Sequence, residues 1–182
     1  IVMRLVGSEM CIRDRARAIT LFKIYSKNKF KPNEIHYEMN NDLHQTNPKG
    51  VYVTSIVGSY NSKTDIIELS NAGHLPALFK KGREFIEYDS SSMPLGVKKA
   101  DNNKEYKLET IKLEDGRLYC FTDGFSECRN EKGDEIGIDG VKNLIINYQN
   151  TSLKKELSKI IKDVESKSTK DKNIDNVNTD NI

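Results

Sequence analysis

The residues best placed to do chemistry lie in Leu118 to Glu127, Leu-Tyr-Cys-Phe-Thr-Asp-Gly-Phe-Ser-Glu, where an apolar, strand-like run ends in an Asp-Gly pair. A strand that stops at Asp123-Gly124 holds a carboxylate rigidly at its C-terminal end, and a rigid carboxylate is a natural ligand for a hard cation. Asp-Gly is also a favoured turn dipeptide, so the pair by itself reads as a turn. His74 is the other tempting group, but a lone histidine supplies neither a metal set nor a triad, and it reads as a turn residue satisfied by hydrogen bonds. Cys11, Cys120 and Cys128 form no CxxC pair and no Cys/His cluster at zinc spacing. Cys120, inside the apolar run, reads as core rather than nucleophile.

Composition narrows the functional classes. The chain carries 29 Lys and Arg against 27 Asp and Glu, a net charge of +2 with the two signs interleaved, which argues against nucleic acid or another polyanion as partner. The longest apolar runs, such as Val51 to Gly58, fall far short of the roughly 20 residues that span a bilayer, so no membrane segment is expected. An odd cysteine count without a disulfide framework makes a cytoplasmic location the simplest expectation. A length of 182 residues suits one globular domain. Lys, Asn and Asp accumulate towards the C-terminus, where a solvated tail is expected.

The elements that must position Asp123 can be read from periodicity. Ile19, Leu21, Phe22, Ile24 and Tyr25 predict a largely buried helix over Ala16 to Lys27. Pro32 is placed as the first residue of a second helix, with Ile35, Met39 and Leu43 on one face. Val51 to Gly58 and Ile66 to Ser70 predict a β-hairpin, and Leu78-Phe79 with Phe85-Ile86 a second around Lys81-Gly82-Arg83. Tyr106 to Leu113 and Leu118 to Thr122 predict a third pairing across Glu114-Asp115-Gly116. After Asp139, Val141, Leu144, Ile145 and Tyr148 share a helical face, as do Leu153, Leu157, Ile160, Ile161 and Val164 after Thr151-Ser152. Ser166 to Asn178 lacks periodicity, and Thr179 to Ile182 reads as the start of a strand. The order is α+β, with helices covering antiparallel sheet.

Residues 1–15 stand apart. Ile1 to Arg15 shows neither helical nor strand periodicity and is no signal peptide. Leu5 to Arg15, LVGSEMCIRDR, looks like translated adapter sequence, so 1–15 are expected to be non-native and 16–182 to be the native portion.

Four motifs occur in order: Asn71-Ala72-Gly73-His74-Leu75-Pro76, Met93-Pro94-Leu95-Gly96, Phe121-Thr122-Asp123-Gly124-Phe125-Ser126-Glu127, and Asn130 to Gly137. Together they resemble the SpoIIE/RsbU branch of the PPM (type 2C-like) serine/threonine protein phosphatases. The resemblance covers Ala16 to Ile182 and implies an α-β-β-α sandwich, incomplete here, cut at both ends.

It further implies phosphoserine or phosphothreonine hydrolysis by water activated on two Mn²⁺ or Mg²⁺ ions, with no covalent enzyme intermediate. Carried over by position, Asp123 and Asp180 fall on metal aspartates, Glu127 on a residue orienting metal-bound water, and Gly124 on a point where backbone passes close to the metals. The family's N-terminal Gly-Asp strand has no counterpart before Ala16, so the 182-residue chain alone is expected to be inactive. The implied substrate is a phosphorylated anti-sigma-factor antagonist. The implied partners are an upstream sensor or receiver domain, whose signal the first two helices would carry, and a second copy in a homodimer. The competing reading is a non-catalytic pseudophosphatase module that binds a partner without hydrolysis.

Overall fold

The computed structural model describes residues 10–28, 30–48, 50–129, 133–148 and 152–174. The chain forms two compact units, Ile1–Cys120 and Phe121–Ile182.

The first unit begins with helices α1 (Met10–Lys27) and α2 (Pro32–Thr46). α1 therefore includes Met10 to Arg15, a stretch whose sequence shows no helical period. Lys31 is extended, as a residue before proline must be, and its N–H donates to the Glu34 carboxylate at 2.8 Å, satisfying one group at the helix start. The buried stripe of α2 is Pro32, Ile35, His36, Met39, Asn40 and Leu43. The three predicted apolar positions all lie on it, joined by two polar residues that periodicity did not mark.

Strands β1 (Ser55–Asn61), β2 (Ile66–Ala72) and β5 (Glu109–Lys112) form one antiparallel sheet in the order β1-β2-β5. Strands β3 (Ala77–Lys81), β4 (Glu84–Tyr88) and β6 (Arg117–Tyr119) form a second, in the order β4-β3-β6. The period of two sorts β1 cleanly. Val57 packs with Ile35, Met39 and Leu43 on the helix side, while Ile56 packs with Leu69, Ala77, Phe79 and Ile111 between the sheets. The first unit is thus layered helix, sheet, sheet.

Both predicted hairpins form, but the third pairing does not. β5 pairs with β2, Ile111 opposite Ile67, whereas β6 pairs with β3, Leu118 opposite Phe79. Two sheets share one core, so both strands can present apolar residues to it only if the chain crosses from one sheet to the other at 113–116. Asp65 holds this crossing: its carbonyl accepts from Leu113 N at 2.9 Å and its carboxylate from Glu114 N at 2.7 Å. Glu114 adopts a positive φ of 48°, and Gly116 lies so close to Phe79 that a Cβ there would sit 2.4 Å from Cζ.

The second unit contains a short helical turn α3 (Asp123–Ser126), then α4 (Gly137–Tyr148) and α5 (Leu153–Ile174). Val141, Leu144 and Ile145 of α4 are buried as predicted. On α5 Ile160 and Val164 are buried as expected, with Glu156 beside them, whereas Leu157 and Ile161, expected on the same face, are 43% and 49% exposed. Spacings of four residues select 156, 160 and 164, and Glu156, which has an interaction partner, is the polar member of that stripe. The predicted strand start at Thr179 lies outside the described residues.

Candidate functional site

The Asn71-Ala72-Gly73-His74 turn and the Met93-Pro94-Leu95-Gly96 loop, separate in sequence, meet in the first unit. Asn71 organises the turn: its Oδ1 accepts from His74 N at 2.9 Å, and its Nδ2 donates to the carbonyls of His74 and Leu75 at 3.2 and 3.1 Å. Gly73, at φ +67°, has the left-handed backbone that glycine adopts without strain. A Cβ there would sit 2.5 Å from Pro94 Cγ, so the close approach of the two motifs requires glycine. Gly73 N also donates to Ser90 Oγ at 2.6 Å, and Ala72 forms a bridge with Ser92.

The loop is held from its other side by α2 and by the segment before β1. Val53 and Leu95 exchange backbone hydrogen bonds of 2.9 and 2.8 Å. Asn40, fully buried, accepts from Gly96 N and donates to Lys98 O, both at 2.9 Å, while Asn41 accepts from Ala100 N at 3.1 Å. His36 lies between Ser55 Oγ, 2.9 Å from Nε2, and Ser70 Oγ, 3.0 Å from Nδ1. Burial lowers its pKa to about 3, so the imidazole is neutral and works as a structural bridge between α2 and the sheet. None of His36, Asn40 or Asn41 was singled out from sequence. The available signal was that His36 and Asn40 lie three residues before Met39 and Leu43, on the same helical stripe.

In the second unit the Thr-Asp-Gly segment forms as one helical turn rather than the last residues of a strand, β6 having ended at Tyr119. Phe121 is buried and packs on Phe125 with ring centroids 6.3 Å apart, anchoring the turn from both ends. Phe125 N donates to Thr122 O at 2.9 Å and Glu127 N to Asp123 O at 2.8 Å. Asp123 occupies the first helical position with its carboxylate exposed, and Oδ1 accepts from Gly124 N at 2.8 Å. Glu127 is exposed one turn later, and a Cβ on Gly124 would meet no described atom within 4 Å. Ile136 N donates to Cys128 O at 2.9 Å, closing the glycine-containing loop behind the turn. Cys120 is exposed, not part of the core as expected.

Asp123, Gly124 and Glu127 are therefore brought together, while Asp180 lies outside the described residues. Among the described residues no group of three or more His, Cys, Asp or Glu side chains could hold a metal ion. One exposed carboxylate in a helical turn does not by itself fit a two-metal centre, which needs several converging oxygen ligands.

Comparison with known proteins decides the family. The family model described as Stage II sporulation protein E (SpoIIE) matches residues 15–177. The chain belongs to the SpoIIE family. The helix and antiparallel-sheet architecture agrees with that of PP2C-like domain structures. The SiaA-PP2C domain of Pseudomonas aeruginosa matches with a TM-score of 0.76 at 13% identity, covering 90% of this chain and 66% of that one. The RsbU and RsbW domains of a Mycobacterium tuberculosis protein match with a TM-score of 0.65 at 14% identity, covering 89% of this chain and 44% of that one. A bacterial serine phosphatase matches with a TM-score of 0.52 at 14% identity, covering 74% of this chain and 57% of that one. At these identities the likeness is one of fold. The SpoIIE chain spans about two thirds of the first of these structures and less than half of the second. No curated protein sequence matches it. No helix among the described residues is long and apolar enough to cross a membrane.

Proposed function

We propose that this chain is part of a bacterial signalling phosphatase that hydrolyses phosphoserine or phosphothreonine on a protein substrate with the help of Mn²⁺ or Mg²⁺. The observation that carries the proposal is the exposed Asp123 carboxylate, held on a closed helical turn inside the segment matched by the SpoIIE family model. Asp123 would be one metal ligand and Asp180 a second, with Glu127 and Gly124 supporting them. When bound, the metals would supply a water nucleophile and neutralise phosphate charge. Residues 16–182 are the C-terminal portion of the domain in this reading, 1–15 are not native to it, and the chain alone is inactive because it supplies too few carboxylates. The substrate class is a phosphorylated anti-sigma-factor antagonist in the cytoplasm, with regulation from an upstream sensor or receiver domain and, in the assembled protein, a homodimer.

The test is phosphate release from a phosphoserine protein substrate in Mn²⁺ by a longer protein that contains this chain, compared with its Asp123→Asn variant. Loss of a metal ligand should lower kcat at least about a hundredfold, the scale on which a single electrostatic contributor to a transition state acts. Equal rates in the two proteins would remove Asp123 from the metal set. A longer protein that releases no phosphate, yet binds its partner unchanged with Asp123→Asn, would favour a non-catalytic module.

A further inference from the structure

A cavity lies in the first unit, lined by residues other than those of the four motifs. It is an open groove of about 310 Å³ between the start of α2 and the segment at 101–103, lined by Phe30, Glu34, Tyr37, Glu38, Asp101, Asn102 and Asn103. That volume sits at the small end of the roughly 300–1,000 Å³ typical of ligand pockets. Two aromatic residues and three carboxylate residues share its wall, and none of the described wall residues is cationic. Among the described residues no lysine or arginine makes an ion pair with Glu34, Glu38 or Asp101; the nearby Lys31 pairs with Glu68 at 3.6 Å.

We propose that this cavity binds a small organic cation, an alkylammonium group flanked by the Phe30 and Tyr37 rings and neutralised by Glu38 and Asp101. The chemistry follows from the lining. An ammonium near an aromatic face is attracted by the ring quadrupole, and nearby carboxylates add charge complementarity that a neutral guest could not use. A bare divalent ion would need its oxygen ligands gathered at about 2.0–2.6 Å, and the three carboxylates do not converge into any such group. They are spread around a space that suits a bulkier guest.

The site is also partly built in advance. Phe30 rests against Tyr25 with ring centroids 6.4 Å apart, and the Tyr25 hydroxyl donates to Asp42 at 2.6 Å. Glu34 is fixed by the Lys31 N–H, and Asn33 Nδ2 donates at 3.4 Å to the carbonyl of Asn103, a wall residue. Asn33 Oδ1, beside this wall, is buried without a described partner. The hydrogen bond to Asp42, then burial, then the charges of Asp42 and Glu38 push the Tyr25 phenol up to about 12, so Tyr25 stays protonated and keeps donating to Asp42.

The experiment is an NMR titration of the 182-residue chain with tetramethylammonium chloride, using neopentyl alcohol as the neutral probe of similar shape and NaCl and MgCl₂ at matched ionic strength. Saturable shifts at the Tyr37, Asn102 and Asn103 amides with tetramethylammonium alone support the site. A Glu38→Gln/Asp101→Asn variant, which keeps shape and hydrogen-bonding capacity, should then weaken binding by about fivefold to tenfold, the scale of two solvent-accessible charge pairs. Phe30→Leu, a change outside the unit's main core, should weaken it independently. Shifts of the same amides by neopentyl alcohol with equal affinity would overturn the proposal, as would unchanged binding in the double variant. Saturation by Mg²⁺ at these amides, with none by tetramethylammonium, would replace it with a metal site.

Discussion

Gly73→Ala tests whether the Asn71–His74 turn and the Pro94 loop are locked together. Two costs add at this position. A non-glycine residue at φ +67° costs about 1–2 kcal/mol in backbone strain. The new Cβ would lie 2.5, 2.7 and 2.8 Å from Pro94 Cγ, Cδ and N, and overpacking of this kind costs about 1–3 kcal/mol. The sum, about 2–5 kcal/mol, is a large share of the roughly 5–15 kcal/mol that holds a domain folded. Gly82 supplies the control: its φ of +59° carries the same strain, but a Cβ there meets nothing within 4 Å. In urea unfolding followed by circular dichroism, Gly73→Ala should therefore lose about 1–3 kcal/mol more than Gly82→Ala, at an unchanged m-value. Adding Pro94→Ala should recover most of that excess, because the coupled pair are in contact and their effects are not additive. Equal losses in the two glycine variants, or no recovery with Pro94→Ala, would refute the contact between the motifs.

The buried His36 gives a pH dependence. Its folded pKa of about 3 lies below the usual 6.5, so the unfolded chain binds the proton more readily and stability falls as pH drops between those values. Between about pH 6 and pH 5, His36 should contribute a slope of up to about 1.4 kcal/mol per pH unit, measurable by urea unfolding and absent in His36→Gln. Asn40→Leu would leave Gly96 N and Lys98 O without their partner, and thermal unfolding should show a loss of about 2–4 kcal/mol. Gly116→Ala would drive a Cβ into the Phe79 ring, and Phe79→Leu in the same chain should restore part of the stability lost in urea.

Much of the fold was legible because local period and tertiary burial coincide. Ile35, Met39 and Leu43 recur at four-residue intervals, and each is fully buried on α2. The turn through Asn61 to Asp65 separates two β-rich runs that pair in register from Ser55 opposite Ala72 to Asn61 opposite Ile66. The crossing at 113–116 was illegible for a physical reason. Two strands joined by Glu-Asp-Gly look like a hairpin by every local criterion, and only the requirement that Ile111 and Phe79 share a core assigns them to different sheets. Polar core residues escape periodicity for a related reason. His36 and Asn40 can be buried because Ser55, Ser70, Gly96 and Lys98 meet their hydrogen-bonding groups, and those partners lie 19 to 58 residues away.

The candidate site divides along the same line. Each motif was readable as a turn because turns are local: Asn71 bonds residues three and four ahead, and Asp123 bonds the next N–H. The meeting of Gly73 with Pro94 depends on a distance between backbones that neither motif encodes alone, and it makes the glycine of Asn-Ala-Gly-His a packing requirement. Asp123 differs in kind. Its carboxylate is exposed, and the only described hydrogen bond of that carboxylate is to the neighbouring N–H, so little in the folding of its own turn requires an aspartate's charge. Asparagine would cap Gly124 N equally well, and Asp123→Asn should leave stability within about 0.5 kcal/mol. A large effect of that substitution on phosphate release in a longer protein would then report on metal binding, not on folding.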